Sequence, residues 1–538
     1  MTLALDGETL APDDVARVAR NREPIRITEE ARARVDRAHE RVAAVIDGDE
    51  AVYGINTGFG ELVDERIPSS QLEALQANLI RSHAAGTGRI LSTEEVRAMM
   101  VARINALITG YSGVRTELVD VLVALCNEGI CPVVPAQGSL GASGDLAPLA
   151  HMALVLLGEG EAYVQPPTAT TGSPQRVRGE DALALAGIEP VTLEPKEGLA
   201  LINGNQLTTG IGCLVLVDAE RLVRSADLIG ALTTEMTLGT TATSDPVMHE
   251  TRPFAGQRAS AATVRAVTAG SDIVEAHRNC DRVQDPYSLR CLPQVHGGVR
   301  DALDHLRAGL TIELNSATDN PLVFPADAVD DRASGTATAA VISGGNFHGT
   351  PLALRLEYAR LAVVELANIT ERRIDLLVNP NRQEPHLPPF LARESGVESG
   401  FMIVQYTAAA LLNDLRTTGT PVVDNTPVSG GQEDHVSNSA QTACNVREAI
   451  NALRWILAGE LVCAGEAREY VDDAFDTENA RTLSPGRGTA IAYDRLREVV
   501  PPLTGDRPVH RDVEAAATLL AGPDLLTAVE EAIGEELP

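Results

Sequence analysis

Gly138-Ser139-Leu140-Gly141-Ala142-Ser143-Gly144-Asp145-Leu146-Ala147-Pro148-Leu149-Ala150-His151 is the stretch on which the reading of this chain turns. Pro132 and Pro135 lead into it, and an apolar, helix-like run from Leu149 to Leu157 leads out. Glycine lacks a Cβ and takes dihedrals that other residues avoid, so the segment around Ala142-Ser143-Gly144 is able to fold tightly on itself. Should the Gly144 amide nitrogen reach the Ala142 carbonyl carbon, the loop closes into a ring. Loss of water, including the Ser143 hydroxyl, then leaves a methylidene-imidazolone, a strong electrophile made from the chain itself. An Ala-Ser-Gly tripeptide alone is common, so the rest of the sequence has to decide.

Composition sets the frame. With 538 residues but only 3% aromatics and the single Trp455, the core has to be built from Leu, Val, Ile and Ala, which favours helix. Acidic residues outnumber basic ones 75 to 44, giving a formal charge of −31, and that balance argues against nucleic acid as a partner. One lysine, Lys196, stands among arginines. An acidic, lysine-poor surface suits a halophilic cytoplasm, because at about 1 M salt the Debye length falls to roughly 3 Å and self-repulsion is screened. The seven cysteines are scattered without a C-x-x-C pair, as small core residues in a reducing compartment would be. The start of the chain lacks a basic-then-apolar leader and no apolar run reaches membrane-spanning length, so a soluble, cytoplasmic protein without a membrane partner is expected.

Further stretches carry possible chemistry. Tyr53-Gly54-Ile55-Asn56-Thr57-Gly58-Phe59-Gly60 is a glycine-punctuated loop with one phenol, following a helix-like segment around Ala31–Ile46. It is no phosphate loop, since the only lysine follows Pro195. His83 follows Arg81-Ser82; Asn203-Gly204-Asn205-Gln206 reads locally as a turn. His249-Glu250 begins a zinc-protease pattern but meets Pro253 where a second His is required, so no metal site is inferred. In Gln284-Asp285-Pro286-Tyr287-Ser288-Leu289-Arg290-Cys291, Arg290 offers a planar fork for a carboxylate, and Tyr287 shares its face on a helical turn. From about Ile312 the chain reads as largely helical. Ser343 to His348, with Phe347, opens a helix whose stripe is Leu352, Leu356, Ala359, Val363 and Leu366. Val446, Ile450, Leu453, Leu457 and Leu461 form a second stripe. Between them Gln432-Glu433-Asp434-His435 reads as capping chemistry at a helix start.

Taken in order from Tyr53 to Ser437, these stretches resemble the signature motifs of the aromatic amino-acid ammonia-lyases and aminomutases. The resemblance implies a mainly α fold of the ammonia-lyase/aspartase-like superfamily. An N-terminal part (residues 1–200) would carry the tyrosine loop and the electrophile, residues 201–465 a long-helix bundle, and 466–538 a helical tail. It implies a homotetramer with sites built from three subunits. Its cofactor would be 4-methylideneimidazol-5-one, formed autocatalytically from Ala142, Ser143 and Gly144, with no external cofactor or metal. By the same resemblance Tyr53 or Tyr287 is the acid or base, and the choice stays open. Arg290 takes the substrate carboxylate, Asn203 and Gln284 give polar support, and Phe347 flanks the electrophile and the substrate ring.

Ser82-His83 and Gln432-Glu433-Asp434-His435 resemble the histidine-using members, whereas phenylalanine and tyrosine enzymes tend to carry Gln-Asp-Val. The physical reason is that a carboxylate at Glu433 can accept an imidazole N–H and is wasted on a phenyl ring. His83 and Glu433 would therefore address an imidazole. The expected activity is that of a carbon–nitrogen lyase taking L-histidine to trans-urocanate and ammonia, the first step of histidine breakdown. The chain departs from the family at Gly430-Gly431, usually Ala-Asn, and at Asn205, commonly Thr. Three alternatives remain. The first is a tyrosine or phenylalanine lyase or an aminomutase on the same electrophile. The second, a fumarase/aspartase relative, lacks its Gly-Ser-Ser loop and Met-Pro-x-Lys segment here. The third is a catalytically silent homologue.

Overall fold

A computed structural model of the chain describes residues 2–46, 52, 54–55, 67–165, 174–278, 282–329, 334–336, 339–475 and 482–538. Tyr53 and residues 56–60 of its loop lie outside the described residues. The chain is 61% helix, in line with a composition that favours helix. It resolves into two compact units, one of Met1–Val217, Leu306–Glu357 and Thr420–Cys444, the other of Asp218–His305, Tyr358–Gly419 and Asn445–Pro538.

In the first unit the helix Thr93–Leu107 is buried on every side from Glu95 to Leu107. Its start is fixed by a capping box: Ser92 Oγ accepts from Glu95 N at 3.3 Å, and Glu95 Oε2 accepts from Ser92 N at 2.7 Å. A helix wetted nowhere can carry polar side chains only where each finds partners. Arg97 donates to Val18 O and Cys126 O, and Asn105 donates to Leu314 O. The third such side chain, Arg103, reaches toward the candidate site. Short sheets wrap this core, among them the antiparallel pair Thr87–Ile90 with Pro135–Gln137, which delivers the chain to Gly138.

The two apolar stripes expected from periodicity are core. Leu352, Leu356, Ala359, Val363 and Leu366 are buried along Thr350–Val378, and Val446, Ile450, Leu453, Leu457 and Leu461 along Ser439–Ala467. The segment after Ile312 is less helical than expected. Leu322–Pro325, Ser334–Gly335 and Ala339–Ile342 form a three-stranded antiparallel sheet there, with alternate residues Val323, Ala339 and Val341 packed in a cluster with Val42, Val45 and Ile55. The truncated zinc pattern is structural: His249 Nε2 donates to Thr243 O at 3.0 Å and Nδ1 accepts from Gln257 Nε2 at 2.8 Å. Cys126 and Cys131 are buried thiols pushed up to about 11 and about 12, hence inert at neutral pH. Among the described residues no helix is long and apolar enough to cross a membrane.

The second unit ties its helices through buried charge. Asp227 accepts from Ser260 Oγ at 2.8 Å, His296 Nδ1 at 2.8 Å and Arg300 Nη2 at 2.6 Å. Arg373 forks onto Glu460 at 2.5 and 2.9 Å and reaches His296 Nε2 at 3.2 Å. These groups sit on five helices, and the cluster fixes how those helices register.

Glu235 is different: burial raises its carboxyl to about 7, against hydrogen bonds from Ser271, Thr489 and Gly486 N. The folded protein therefore holds a proton that the unfolded chain has lost above pH 4 to 5. This contribution to stability is complete below the unfolded value and is lost as pH rises through about 7. Glu235→Gln is expected to raise thermal stability at pH 8 by up to roughly 3 kcal/mol, at about 1.4 kcal/mol per pKa unit, and to change little at pH 4. Melting curves across pH check it; an equal effect at both ends would contradict the titration.

Candidate active site

The run 138–145 forms a loop closed from several sides. Gly138, Gly141 and Gly144 all take positive φ, at 144°, 72° and 82°. At Gly144 the need is steric as well, because a Cβ would lie 2.2 Å from Gly204 O. The Gly144 and Gly204 backbones bridge directly, and Asp145 N donates to Gly204 O at 2.7 Å. Gly141 meets the same limit against Ser437 Oγ, 2.1 Å from where its Cβ would be.

Four helices begin at this loop. Leu146–Leu156 starts immediately after it, with Pro148 tolerated in the first turn. Gln206–Met236 is tied by Thr208 N donating to Asp145 Oδ2 at 2.9 Å. Thr350–Val378 is tied by Gly349 N donating to Gly141 O at 3.2 Å. Ser439–Ala467 is tied by Asn438 N donating to Leu140 O at 2.8 Å and by Thr208 Oγ1 donating to Ser439 Oγ at 3.0 Å. Each helix N-terminus carries about half a positive charge, so the loop sits where negative charge is stabilised. Asp145 is wholly buried; it accepts from Ser139 Oγ at 2.8 Å as well as from Thr208, and desolvation raises its pKa.

Three predicted residues meet at the loop's centre. Ser143 Oγ donates to Glu433 Oε1 at 2.8 Å, and Asn203 Nδ2 donates to Ser143 O at 3.1 Å. Asn203 Oδ1 is buried without a hydrogen-bond partner among the described residues. Phe347, half-buried, stands two residues before Gly349, whose amide holds Gly141. His83 ends the helix Leu72–His83, and the turn after it packs against the loop, with Gly86 Cα 3.2 Å from where a Gly138 Cβ would lie. His83 Nδ1 donates to Leu79 O at 2.9 Å, which leaves Nε2 as the acceptor nitrogen.

Glu433 is not at a helix start, as expected from Gln432-Glu433, because the next helix opens six residues later at Ser439. Ser429, Gly430 and Gly431 all have positive φ, at 54°, 66° and 95°, and the turn they make is closed by the Val428–Glu433 bridge. This accounts for the glycines where the family has Ala-Asn: a Cβ at 431 would meet no atom within 4 Å, but its backbone would be strained. Beyond Glu433, His435 and His348 stack with centroids 5.5 Å apart. Asn205 donates to the half-buried Glu313 at 3.0 Å.

Gln284, Tyr287 and Arg290 belong to the second unit and gather there. Arg290 Nη1 donates to Gln284 Oε1 at 2.5 Å, and its guanidinium lies 5.9 Å from the Tyr287 ring on the helical turn Tyr287–Arg290. Tyr287 is 71% exposed. Sequence reasoning missed Arg103, Asp145, Thr208 and the Ser437/Ser439 pair. The only signals available were an arginine amid the apolar run Met99 to Leu107 and a lone lysine at 196.

A half-buried, glycine-lined loop met by four helix N-termini is a setting that favours negative charge on the backbone. The chain belongs to the aromatic amino acid lyase family, whose model matches residues 10–498. A probable histidine ammonia-lyase of Halobacterium salinarum is 57% identical over 535 residues, 99% of each chain. Among solved structures, histidine ammonia-lyase from Trypanosoma cruzi superposes with a TM-score of 0.87 at 36% identity, covering 99% of this chain and 96% of that one. Tyrosine aminomutase from Streptomyces globisporus superposes at 0.90 with 34% identity, covering all of both chains.

Proposed function

We propose that this protein eliminates ammonia from L-histidine to give trans-urocanate, using a 4-methylideneimidazol-5-one made from Ala142, Ser143 and Gly144. The observation that carries the reading is the Ser143–Glu433 contact at 2.8 Å, which sets a carboxylate directly beside the electrophile loop. The residues present fit the group. Gly144 and Gly204 pack backbone to backbone, where side chains would block ring closure, and Asn203 Nδ2 already occupies the Ser143 carbonyl oxygen. When formed, the ring supplies an electrophilic carbon and an electron sink for the substrate's amino group.

The chain's own residues do the remainder. Arg290, held by Gln284, binds the α-carboxylate through its fork. Glu433 accepts an imidazole N–H, and His83, oriented by its bond to Leu79 O, packs beside the same ring. Phe347 walls the ring and excludes water. Tyr53 or Tyr287 removes the β-proton, and Asn203 with the four helix N-termini stabilises the charge that builds on the Ser143 oxygen. Gln284, Tyr287 and Arg290 would reach this site from other subunits of a homotetramer. The exposed Tyr287, and the face of Thr350–Val378 carrying Leu354, Tyr358 and Leu361, each about half exposed, support an assembly. The acidic, lysine-poor composition and the Halobacterium relative support a cytoplasm of high salt.

Glu433→Gln keeps the shape and removes the charge. It is expected to cost about 10- to 100-fold in kcat/KM for L-histidine, the worth of one charge-assisted hydrogen bond of about 1.5–3 kcal/mol. Turnover of L-histidine, L-phenylalanine and L-tyrosine by both proteins is the test, and unchanged histidine turnover in the variant would overturn Glu433's role. Unfolding followed against salt should show stability falling as salt is removed, through unscreened repulsion among 75 acidic residues. Stability indifferent to low salt would contradict the halophilic assignment.

A further inference from the structure

Under the Asn203–Gly204 turn lies a charged cluster that the proposed reaction does not use. Lys196, the chain's only lysine, is fully buried with Nζ 2.5 Å from Asp319 Oδ2. Arg103, also fully buried, donates from Nη1 to Asn203 O at 2.8 Å and to Gln206 Oε1 at 2.7 Å. Gln206 Nε2 in turn donates to Thr318 Oγ1 at 2.7 Å. Burial lowers Arg103 to about 10 against the attraction of Asp319, and burial lowers Lys196 as well. Two cations share one carboxylate, and Arg103 Nε and Nη2 have no hydrogen-bond partner among the described residues. Burying excess charge with unpaired donors costs stability, so stability alone is a poor account of the cluster.

Its position suggests another role. A Cβ on Gly204 would lie 2.7 Å from Arg103 Nη1, and a Cβ on Gly144 would lie 2.2 Å from Gly204 O. The Asn203–Gly204 backbone is thus the single layer between the guanidinium and the peptide of Gly144. We propose that Arg103, backed by Asp319 and Lys196, is a positioning residue for closure of the Ala142–Ser143–Gly144 ring, locking the Asn203–Gly204 turn against Gly144 and Asn203 Nδ2 onto Ser143 O. This rests on the reading that the tripeptide matures into the electrophile.

In that maturation the Gly144 nitrogen bonds to the Ala142 carbonyl carbon. The Ala142 oxygen leaves as water with the amide hydrogens of Gly144 and Ser143, forming a C=N bond. The Ser143 hydroxyl then leaves as a second water with the Ser143 Cα hydrogen, forming the exocyclic C=C bond. Removing that hydrogen puts negative charge on the Ser143 oxygen, where Asn203 Nδ2 donates. No oxidant or co-reactant is needed.

The test is the mass of the peptide spanning 142–144 in full-length protein, with circular dichroism as a check on folding. Wild type should have lost two waters. Arg103→Met and Arg103→Gln, which leave the Lys196–Asp319 pair neutral, should fold, and their closed fraction should fall about tenfold, as for one lost charge-assisted hydrogen bond. Both bonds of Arg103 leave from one nitrogen, so the ammonium of Arg103→Lys should restore most of the closed fraction. Closure to the wild-type extent in Arg103→Met or Arg103→Gln overturns the proposal. So does a failure of both to fold, which would assign Arg103 to stability alone. A wild-type peptide of full mass would bring down the underlying reading, and this proposal with it.

Discussion

Ser143→Ala is expected to fold and to lose histidine deamination by at least about three orders of magnitude in kcat. The argument is chemical before it is structural. Without the Ser143 hydroxyl no second water can leave, the exocyclic double bond cannot form, and the site has no electrophile. What remains is an amino group that leaves poorly and a β-hydrogen that is barely acidic, with only binding and charge stabilisation to help. The fold should survive, because ring closure itself discards the Ser143 hydroxyl, and the one hydrogen bond that hydroxyl makes to Glu433 before closure, on a half-buried loop, is worth only about 1 kcal/mol. Gly141, Gly144 and the four helix starts that hold the loop are untouched. Melting curves and turnover of the same preparation check both halves, and wild-type turnover would refute the electrophile.

Asn203→Ala carries the second-largest expected effect, about 10²–10³ in kcat with KM changed little, the measured range for removing one preorganised donor to a developing oxyanion. Asn203 Nδ2 donates to the Ser143 oxygen, while its Oδ1 has no hydrogen-bond partner among the described residues. An amide buried with one end idle is placed for the other end. Its carbonyl is held by Arg103, so the side chain arrives already oriented. A variant whose loss appears wholly in KM would mean that Asn203 binds substrate rather than the charge at Ser143.

Much of this was legible in sequence, for a reason that differs from element to element. The stripes at Leu352–Leu366 and Val446–Leu461 were readable because period and burial are one phenomenon on a helix facing a core. The loop at 138–145 was readable because its chemistry demands a particular tripeptide flanked by residues that let the backbone turn. Tyr287 and Arg290 were readable as a pair because three residues on one helical turn bring them together. The sheet over 322–342 escaped because its short strands give little periodic signal, and their pairing depends on residues far off, such as Val42 and Val45. Glu433's setting escaped because three successive positive-φ residues make a turn that local capping rules do not anticipate. Arg103 escaped because a mid-helix arginine normally marks a solvent face. Only the packed structure places it beneath Asn203.

The most direct test of the account is ultraviolet absorbance of the purified protein mixed with L-histidine in high salt. Growth of the urocanate band, with no cinnamate or coumarate band from L-phenylalanine or L-tyrosine, is the predicted result. Folded protein that gives no urocanate band at any salt concentration would contradict the account.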